Sequence, residues 1–409
     1  MKLMKVTSPE RVMEIISEQF SPLEAVEVEL MEAGGKCLAE DIYSPEDLPG
    51  FNRSTVDGYA VSAQETFGAS ESIPALLECS GEIPMGQAAP SLDPGYCYQV
   101  HTGGMLPAGS DAVVMIEDTD ITGDTVQIYR QVAPGQNVIH QGEDMAKGQL
   151  ALSRGQTLRS PELGLLASMG VSHIKAYRQP VIGILSSGDE LAPYHTSELE
   201  AGKVRDSNAP ALTFMGQQYG AKAIYGGILP DTYEEFQNES QKMLDKVDFM
   251  VLSGGSSVGT RDFTSRTLQE LGEPGLLVEG ISIQPGKPTL LANCGGKPVM
   301  GLPGHPVSAL NIFFIFGKAI LQVLSGLEVN REVATIKAEL NRNVPSKPGR
   351  TDYVRVKLDK DEEGTTLAAP VFGRSGMLRT LAEADGFTVI PPEKEGLATG
   401  ETIEVQLWD

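Results

Sequence analysis

Three glycine-bearing segments and a scatter of carboxylates carry the residue types that could do chemistry in this 409-residue chain. SGGSSVGTRD, from Ser253 to Asp262, can turn backbone N–H groups inward at Gly254 and Gly255 and adds serine hydroxyls, which suits an anion. It lacks the closing Gly-Lys-Ser/Thr of a P-loop, and a tight strand-to-helix connection would need the same glycines. GLPGHPVSAL, from Gly301 to Leu310, reads as a turn followed by a helix start. Pro306 suits the first helical position, and Gly304 or His305 the cap. Free N–H groups in that first turn would attract an oxyanion, although ordinary capping accounts for His305 equally well. In QPGKP, Lys287 is a cation locked among Pro285, Gly286 and Pro288, a stiffer setting than that of a solvated surface lysine. Asp189, Glu190, Asp231 and Asp262 have the chemistry for Mg²⁺, which takes a few carboxylates plus water and phosphate. Asp231 and Asp262 also precede expected helices, where capping alone explains an aspartate.

These groups need a frame, and the stretch from Pro180 to Ser325 supplies it. Apolar runs at 180–185, 223–228, 247–252, 287–292 and 298–302 predict strands. Helices are predicted from Ser207-Asn208-Ala209-Pro210 to Tyr219, from Thr232 to Lys246, from near Phe263, and across Val307–Leu324. Strands alternating with helices imply a mostly parallel sheet covered on both faces. In such sheets ligands collect beyond the carboxyl ends of the strands, which is where SSGDEL, Asp231, SGGSS and the Pro-Gly-His turn fall. Upstream, Ser8 and Pro9 open a helix that carries Val12, Ile15, Ile16 and Phe20 on one face. Short alternating strands at 96–100, 112–116 and 125–129 predict a small β domain, and 143–177 is read as helical with Pro161 at a helix start. Downstream, strands at 335–340, 352–358, 365–369, 386–390 and 402–407, with one short helix from Ser375 to Ala384, predict a β-barrel-like domain. The fold class is thus multidomain α/β plus β. The expected boundaries are a discontinuous, elongated N-terminal domain (1–46 and 143–178), an inserted β domain (47–142), the α/β domain (179–326) and the C-terminal β-barrel-like domain (327–409).

Composition narrows the partners. A formal charge of −23 argues against nucleic acid and against an anionic membrane surface, both of which call for surplus Lys and Arg. Cys37, Cys79, Cys97 and Cys294 form no CxxC pair, and the five histidines never fall at metal-ligand spacing. The N-terminus has no continuous apolar run of the kind a signal peptide carries. The longest apolar stretch, 307–324, is interrupted by Asn311, Lys318 and Gln322 and is expected to be a buried core helix, not a membrane span. A cytoplasmic protein with free thiols is expected.

Taken together, PGFNRSTVDGYAV (49–61), HTGGMLPAGSDAVV (101–114), QGEDM (141–145), SSGDEL (186–191), SGGSSVGTRDF (253–263), PGKP (285–288) and GLPGHPVSA (301–309) resemble the MoeA family of molybdopterin molybdenumtransferases, which includes the E domain of gephyrin. KPGRTDYVRV (347–356) and GRSGML (373–378) fit the same pattern. The resemblance implies a central molybdopterin-binding α/β domain and a homodimer whose active site is shared between protomers, completed by the partner's C-terminal domain. It implies insertion of molybdate into adenylylated molybdopterin, with release of AMP and with Mg²⁺ present. Carried over motif by motif, Asp57, Thr102, Glu190, Asp231, Asp262, Lys287 and Arg350 match functionally important positions. Lys287, Ser308, Arg350 and Ser375 match oxyanion positions; Ser253, Gly254, Gly255, Ser257, Pro288, Gly304 and His305 match the turns that face substrate. Asp231, Asp262 and Glu190 would hold the metal. A molybdopterin adenylyltransferase and molybdoenzyme apoproteins are the protein partners such an enzyme would meet.

Three positions depart from the family pattern. Gln284 stands where many members carry a second Lys, His305 replaces the Asn of GLPGNP, and Ser256 replaces an apolar residue. Tungstate matches molybdate closely in size and charge, so a tungstate-inserting paralogue stays open. An adenylyltransferase resembles residues 180–326 alone and does not call for the large flanking domains. A gephyrin-like scaffold, the rival from another class, would call for a fused partner domain or a long linker, and neither is expected here.

Overall fold

The computed structural model describes residues 6–230, 232–254, 258–329 and 334–408, with backbone only for 258–262. The chain divides into two units, Met1–Glu27 with Gly35–Ala39 and Lys175–Asp409, and Val28–Gly34 with Glu40–Ile174.

The first unit is built on the expected sheet. Six strands lie in the order Lys222–Leu229, Val181–Ser187, Phe249–Gly254, Lys297–Leu302, Leu290–Cys294, Pro274–Glu279. The first four run parallel, Leu290–Cys294 runs against them, and Pro274–Glu279, antiparallel to that strand, runs with the first four again. The reversal is local chemistry: Cys294 pairs with Lys297 across Gly295-Gly296, whose φ values of 64° and 89° suit the tight two-residue turn that twisted strands prefer. The strand expected at 287–292 starts only at Leu290, because the two prolines hold 285–288 in a turn. The strand Pro274–Glu279 was not anticipated, and the helix expected near Phe263 begins at Val258. At the N-terminus, Ser8 Oγ accepts the N–H of Arg11 and caps the helix Pro9–Gln19, with Val12 and Ile16 fully buried.

The stretch Pro306–Leu324 is long and apolar enough to cross a membrane, yet 83% of its apolar 18-residue window is buried within the protein, as a core helix should be. It is not one uniform α-helix. A π-helical segment, Phe313–Gly317, interrupts it, and a Cβ at Gly317 would lie 2.4 Å from the Phe313 ring. Phe313 stacks on Phe249 of the sheet at 6.2 Å, which fixes the helix on the sheet face.

Beyond it, Thr351–Lys360, Thr366–Pro370, Thr335–Leu340, Thr402–Leu407 and Gly386–Ile390 close into a five-stranded barrel, since the first strand also pairs with the last. A sixth strand, Ile283–Gln284, adds in parallel to Thr351–Asp352. The helix expected from Ser375 to Ala384 shortens to Arg379–Ala382, because Ser375 is engaged elsewhere.

The second unit contains a six-stranded sheet in the order Ala112–Met115, Gly58–Val61, Tyr96–Val100, Ala75–Glu82, Thr125–Ile128, Thr119–Thr122. Gly58 is required there: a Cβ would sit 1.9 Å from Val114 O. The helical expectation for 143–177 is corrected. Only Ser160–Ser168 is helical, whereas Leu150–Leu152 and His173–Tyr177 are strands. Gly148, Gly155 and Gly170, with φ of 82°, 87° and 72°, break the run into short pieces.

Candidate active site

The carboxyl ends of the central strands meet as expected. Ser187 pairs with Gly254 and Ser253 with Leu302, so SSGDEL, the start of SGGSS and the turn after Leu302 share one end of the sheet. Gly254 is a steric necessity. Its φ is 114°, and a Cβ would lie 2.0 Å from Ser187 O. Gly255, Ser256, Ser257 and Asp231 lie outside the described residues, as does the side chain of Asp262.

Ser253 is buried, and its Oγ accepts a hydrogen bond from Asn208 Nδ2 at 2.9 Å. The same nitrogen donates to Gly304 O at 3.0 Å. Asn208 therefore ties two candidate turns together, a role that the SNAP segment had suggested only as a helix start.

Lys287 sits on a turn pinned to the core helix. A Cβ on Gly286 would meet Ile312 Cδ1 at 2.4 Å, and Asn311 Nδ2 donates to Pro285 O at 3.1 Å. Pro288 is half-buried and Lys287 exposed; its ammonium has no hydrogen bond or ion pair among the described residues. The C-terminal segment approaches the same region. The Thr351 N–H donates to Ser282 O at 2.9 Å, so Arg350 lies beside the strand that feeds the lysine turn. Arg350 Nε lies 2.7 Å from Asp352 Oδ1, and its Nη2 donates to Asp352 Oδ2 at 3.2 Å. Only Nη2 is hydrogen-bonded to this buried carboxylate; Nε and Oδ1 are an ion-pair contact without a hydrogen bond, and Nη1, which has no partner among the described residues, is left for an anion. Asp352 had gone unnoticed in the sequence, although an Arg and an Asp two residues apart at a strand start was the available signal.

The expected free N–H groups at the Pro306 helix start are not there. Pro306 has none, Val307 donates to Ser375 O at 3.1 Å, and Ser308 and Ala309 both donate to His305 O at 3.0 Å. Ser375 Oγ also bonds His305 Nδ1 at 2.8 Å. The start of this helix is capped by the chain's own C-terminal segment, where the resemblance had implied that the partner's would approach. Ser308 is buried and Ser375 half-buried, so hydroxyls, not amides, are what this helix start can offer.

Glu190 is exposed, and its carbonyl accepts the Val204 N–H. Of the four carboxylates with the chemistry for Mg²⁺, Asp189 and Glu190 are the two whose side chains are described, and both are exposed. Among the described residues no group of three or more His, Cys, Asp or Glu side chains is arranged to hold a metal. With Asp231 and the Asp262 side chain outside the described residues, the expected three-carboxylate set is described only at Glu190.

Asp57 and Thr102 belong to the other unit and bond each other. Asp57 Oδ1 accepts the Thr102 N–H at 2.8 Å and its hydroxyl at 3.1 Å. The backbone bond, then the hydroxyl, holds the Asp57 carboxyl below its ordinary 3.8. His101 lies 3.8 Å from the same oxygen and 2.8 Å from Glu82 Oε1. A cavity of about 690 Å³ in the first unit, lined by Met13, Phe314 and Tyr353 among others, includes none of the candidate residues.

A family model for the MoeA N-terminal region (domain I and II) matches residues 7–170. A second, described as "Probable molybdopterin binding domain", matches 183–322, and a third, for the MoeA C-terminal region (domain IV), matches 337–408. A molybdopterin biosynthesis protein of Methanocaldococcus jannaschii is 35% identical over 99% of this chain and 98% of its own length. The molybdopterin molybdenumtransferase of Haemophilus influenzae is 31% identical over 94% of each chain. A crystal structure of a molybdopterin biosynthesis MoeA protein from Pyrococcus horikosii superposes with a TM-score of 0.83 at 36% identity, covering 98% of this chain and 99% of that one. With all three regions matched in order along nearly its whole length, the chain belongs to the MoeA family.

Proposed function

We propose that this protein is a molybdopterin molybdenumtransferase: it inserts molybdate into the dithiolene of adenylylated molybdopterin and releases AMP, giving molybdenum cofactor. The observation that carries this is the gathering, within one chain, of Lys287 and of Arg350 Nη1, both without a partner among the described residues, and the Ser308 and Ser375 segments about the carboxyl end of a parallel sheet. The relatives named for the same reaction support it.

Molybdate is a tetrahedral dianion. In a chain of charge −23 it needs local cations and hydroxyl donors. Lys287 supplies a point charge and Arg350 a planar edge. The Gly254 turn lets backbone approach the pterin nucleotide closely. A molybdate oxygen attacks the adenylyl phosphorus, the anhydride bond to the molybdopterin phosphate breaks, and the dithiolene sulfurs then take the metal as AMP departs with that oxygen. Mg²⁺, held by Asp231, Asp262 and Glu190, would neutralise charge on the phosphates when bound. The enzyme works as a cytoplasmic homodimer with a site shared between protomers. Since Arg350 and Ser375 are already present in the same chain, the partner's share comes from other residues.

The test is AMP release from adenylylated molybdopterin, with and without ¹⁸O-labelled molybdate, beside an arm that supplies ATP and molybdopterin that has not been adenylylated. Molybdate-dependent release of labelled AMP is expected; release that ignores molybdate, or consumption of ATP, would overturn the assignment. A parallel tungstate arm reads the effect of Gln284 and His305.

A further inference from the structure

Asn208 opens the helix Asn208–Gln218, whose start is fixed by a buried carboxylate. Asp206 accepts the Ala209 N–H at 3.1 Å through Oδ1 and the Tyr225 hydroxyl at 3.0 Å through Oδ2. From there the Asn208 amide reaches between two turns at the carboxyl end of the sheet. An amide nitrogen carries two protons, and both are spent, on Ser253 Oγ and Gly304 O. The orientation is not arbitrary. Gly304 O can only accept, so a flipped amide would set two carbonyl oxygens against each other. Oδ1 is thereby fixed as the free acceptor, and it has no hydrogen-bond partner among the described residues although Asn208 is only 7% exposed. A buried acceptor without a donor carries a desolvation cost that native proteins rarely leave standing.

Chemistry decides which part of the substrate can satisfy it. Molybdate is an anion without a proton to give, and a carbonyl oxygen repels it. The pterin and adenine rings carry N–H groups and the ribose carries O–H groups. We propose that Asn208 Oδ1 accepts a hydrogen bond from an N–H or O–H group of the pterin nucleotide, so that Asn208 recognises the organic substrate and not the oxyanion. This rests on the molybdenumtransferase reading above.

The test uses full-length wild type, Asn208→Ala and Asn208→Asp, with folding checked by circular dichroism. Binding of adenylylated molybdopterin is measured by equilibrium dialysis without molybdate, and the KM for sodium molybdate at saturating nucleotide. Asn208→Ala is expected to weaken nucleotide binding about tenfold or more, the scale of one lost hydrogen bond in a buried site, with the molybdate KM within about threefold of wild type. Asn208→Asp keeps an oxygen in place of Oδ1 and loses both donors, so it should bind nucleotide more tightly than Asn208→Ala. Wild-type binding by Asn208→Ala, or Asn208→Asp no tighter than it, overturns the inference and leaves Asn208 as a tie between turns. If Asn208→Ala does not fold, Asn208→Asp decides: nucleotide affinity within about threefold of wild type supports the inference, and a loss beyond about tenfold overturns it. A wild-type protein that neither binds the nucleotide nor releases AMP overturns the functional reading, and this inference with it. Normal wild-type turnover beside unimpaired Asn208→Ala overturns the inference alone.

Discussion

Arg350 and Lys287 are both cations at the same end of the sheet, but their surroundings differ. Lys287 is exposed with no partner among the described residues, so Lys287→Ala should shift stability by less than about 0.5 kcal/mol while abolishing molybdate-dependent AMP release. A urea melt beside the turnover assay checks both halves. Arg350 turns Nε and Nη2 toward Asp352, with the hydrogen bond at Nη2, and only a fork can hold that carboxylate and still face an anion. Arg350→Lys should therefore raise the molybdate KM by about tenfold or more; an unchanged KM would show that Nη1 plays no part. Gly254 shows how a residue can be indispensable without chemistry. Strain at a φ of 114° and a Cβ 2.0 Å from Ser187 O should make Gly254→Ala cost roughly 3 kcal/mol, read as a lower denaturation midpoint. Lys287 was legible because two prolines and a glycine around a lysine stand out. Asp352 was hidden because an Asp in an alternating strand reads as solvent-facing until the pairing with Ile283–Gln284 buries it.

At the scale of elements, capping separates two of the helices that open with an early proline. At Ser160–Ser168, Glu162 accepts the Arg159 N–H at 2.9 Å and pairs with its guanidinium at 2.7 Å. The side-chain bond to Arg159, opposed by burial and aided by backbone N–H groups, holds Glu162 at about 2, down from 4.5. A depressed carboxyl stabilises the fold above its unfolded value and loses that contribution as pH falls through the folded one. Wild type should therefore exceed Glu162→Gln in melting temperature at neutral pH, with the gap closing between 4.5 and about 2. A constant gap would remove Arg159 as the cause. The helix at Pro306 was equally legible as an element, yet its cap was not. Its donors go to His305 and to Ser375, and nothing local to GLPGHP specifies the second. Likewise the hairpin at Gly295-Gly296 follows from its own residues, while the unforeseen strand Pro274–Glu279 exists because a neighbour, Leu290–Cys294, offers an edge to pair with.

At the scale of the first unit, the barrel and the central sheet are joined through one aromatic cluster. Trp408, the sole tryptophan, lies edge-on to Phe314 at 4.9 Å and to Phe387 at 5.5 Å, so the core helix and the barrel share a surface. Phe314→Ala should cost roughly 3–5 kcal/mol and shift Trp408 emission to the red. Coincident fluorescence and circular dichroism transitions are expected; a separate early fluorescence transition would mean that the barrel unfolds alone.

Much was therefore open to inspection before any fold was known. Alternating apolar runs, paired glycines, prolines at helix starts and a lysine in a rigid turn act over a few residues, and their steric and hydrogen-bonding consequences are the same wherever the segment lies. The order of the strands, the closure of the barrel, the capping of the Pro306 helix by Ser375, 70 positions beyond His305, and the orphaned oxygen of Asn208 could not be seen that way. Each depends on which distant backbone or side chain occupies the neighbouring space, and that is settled only when the whole hydrophobic core packs.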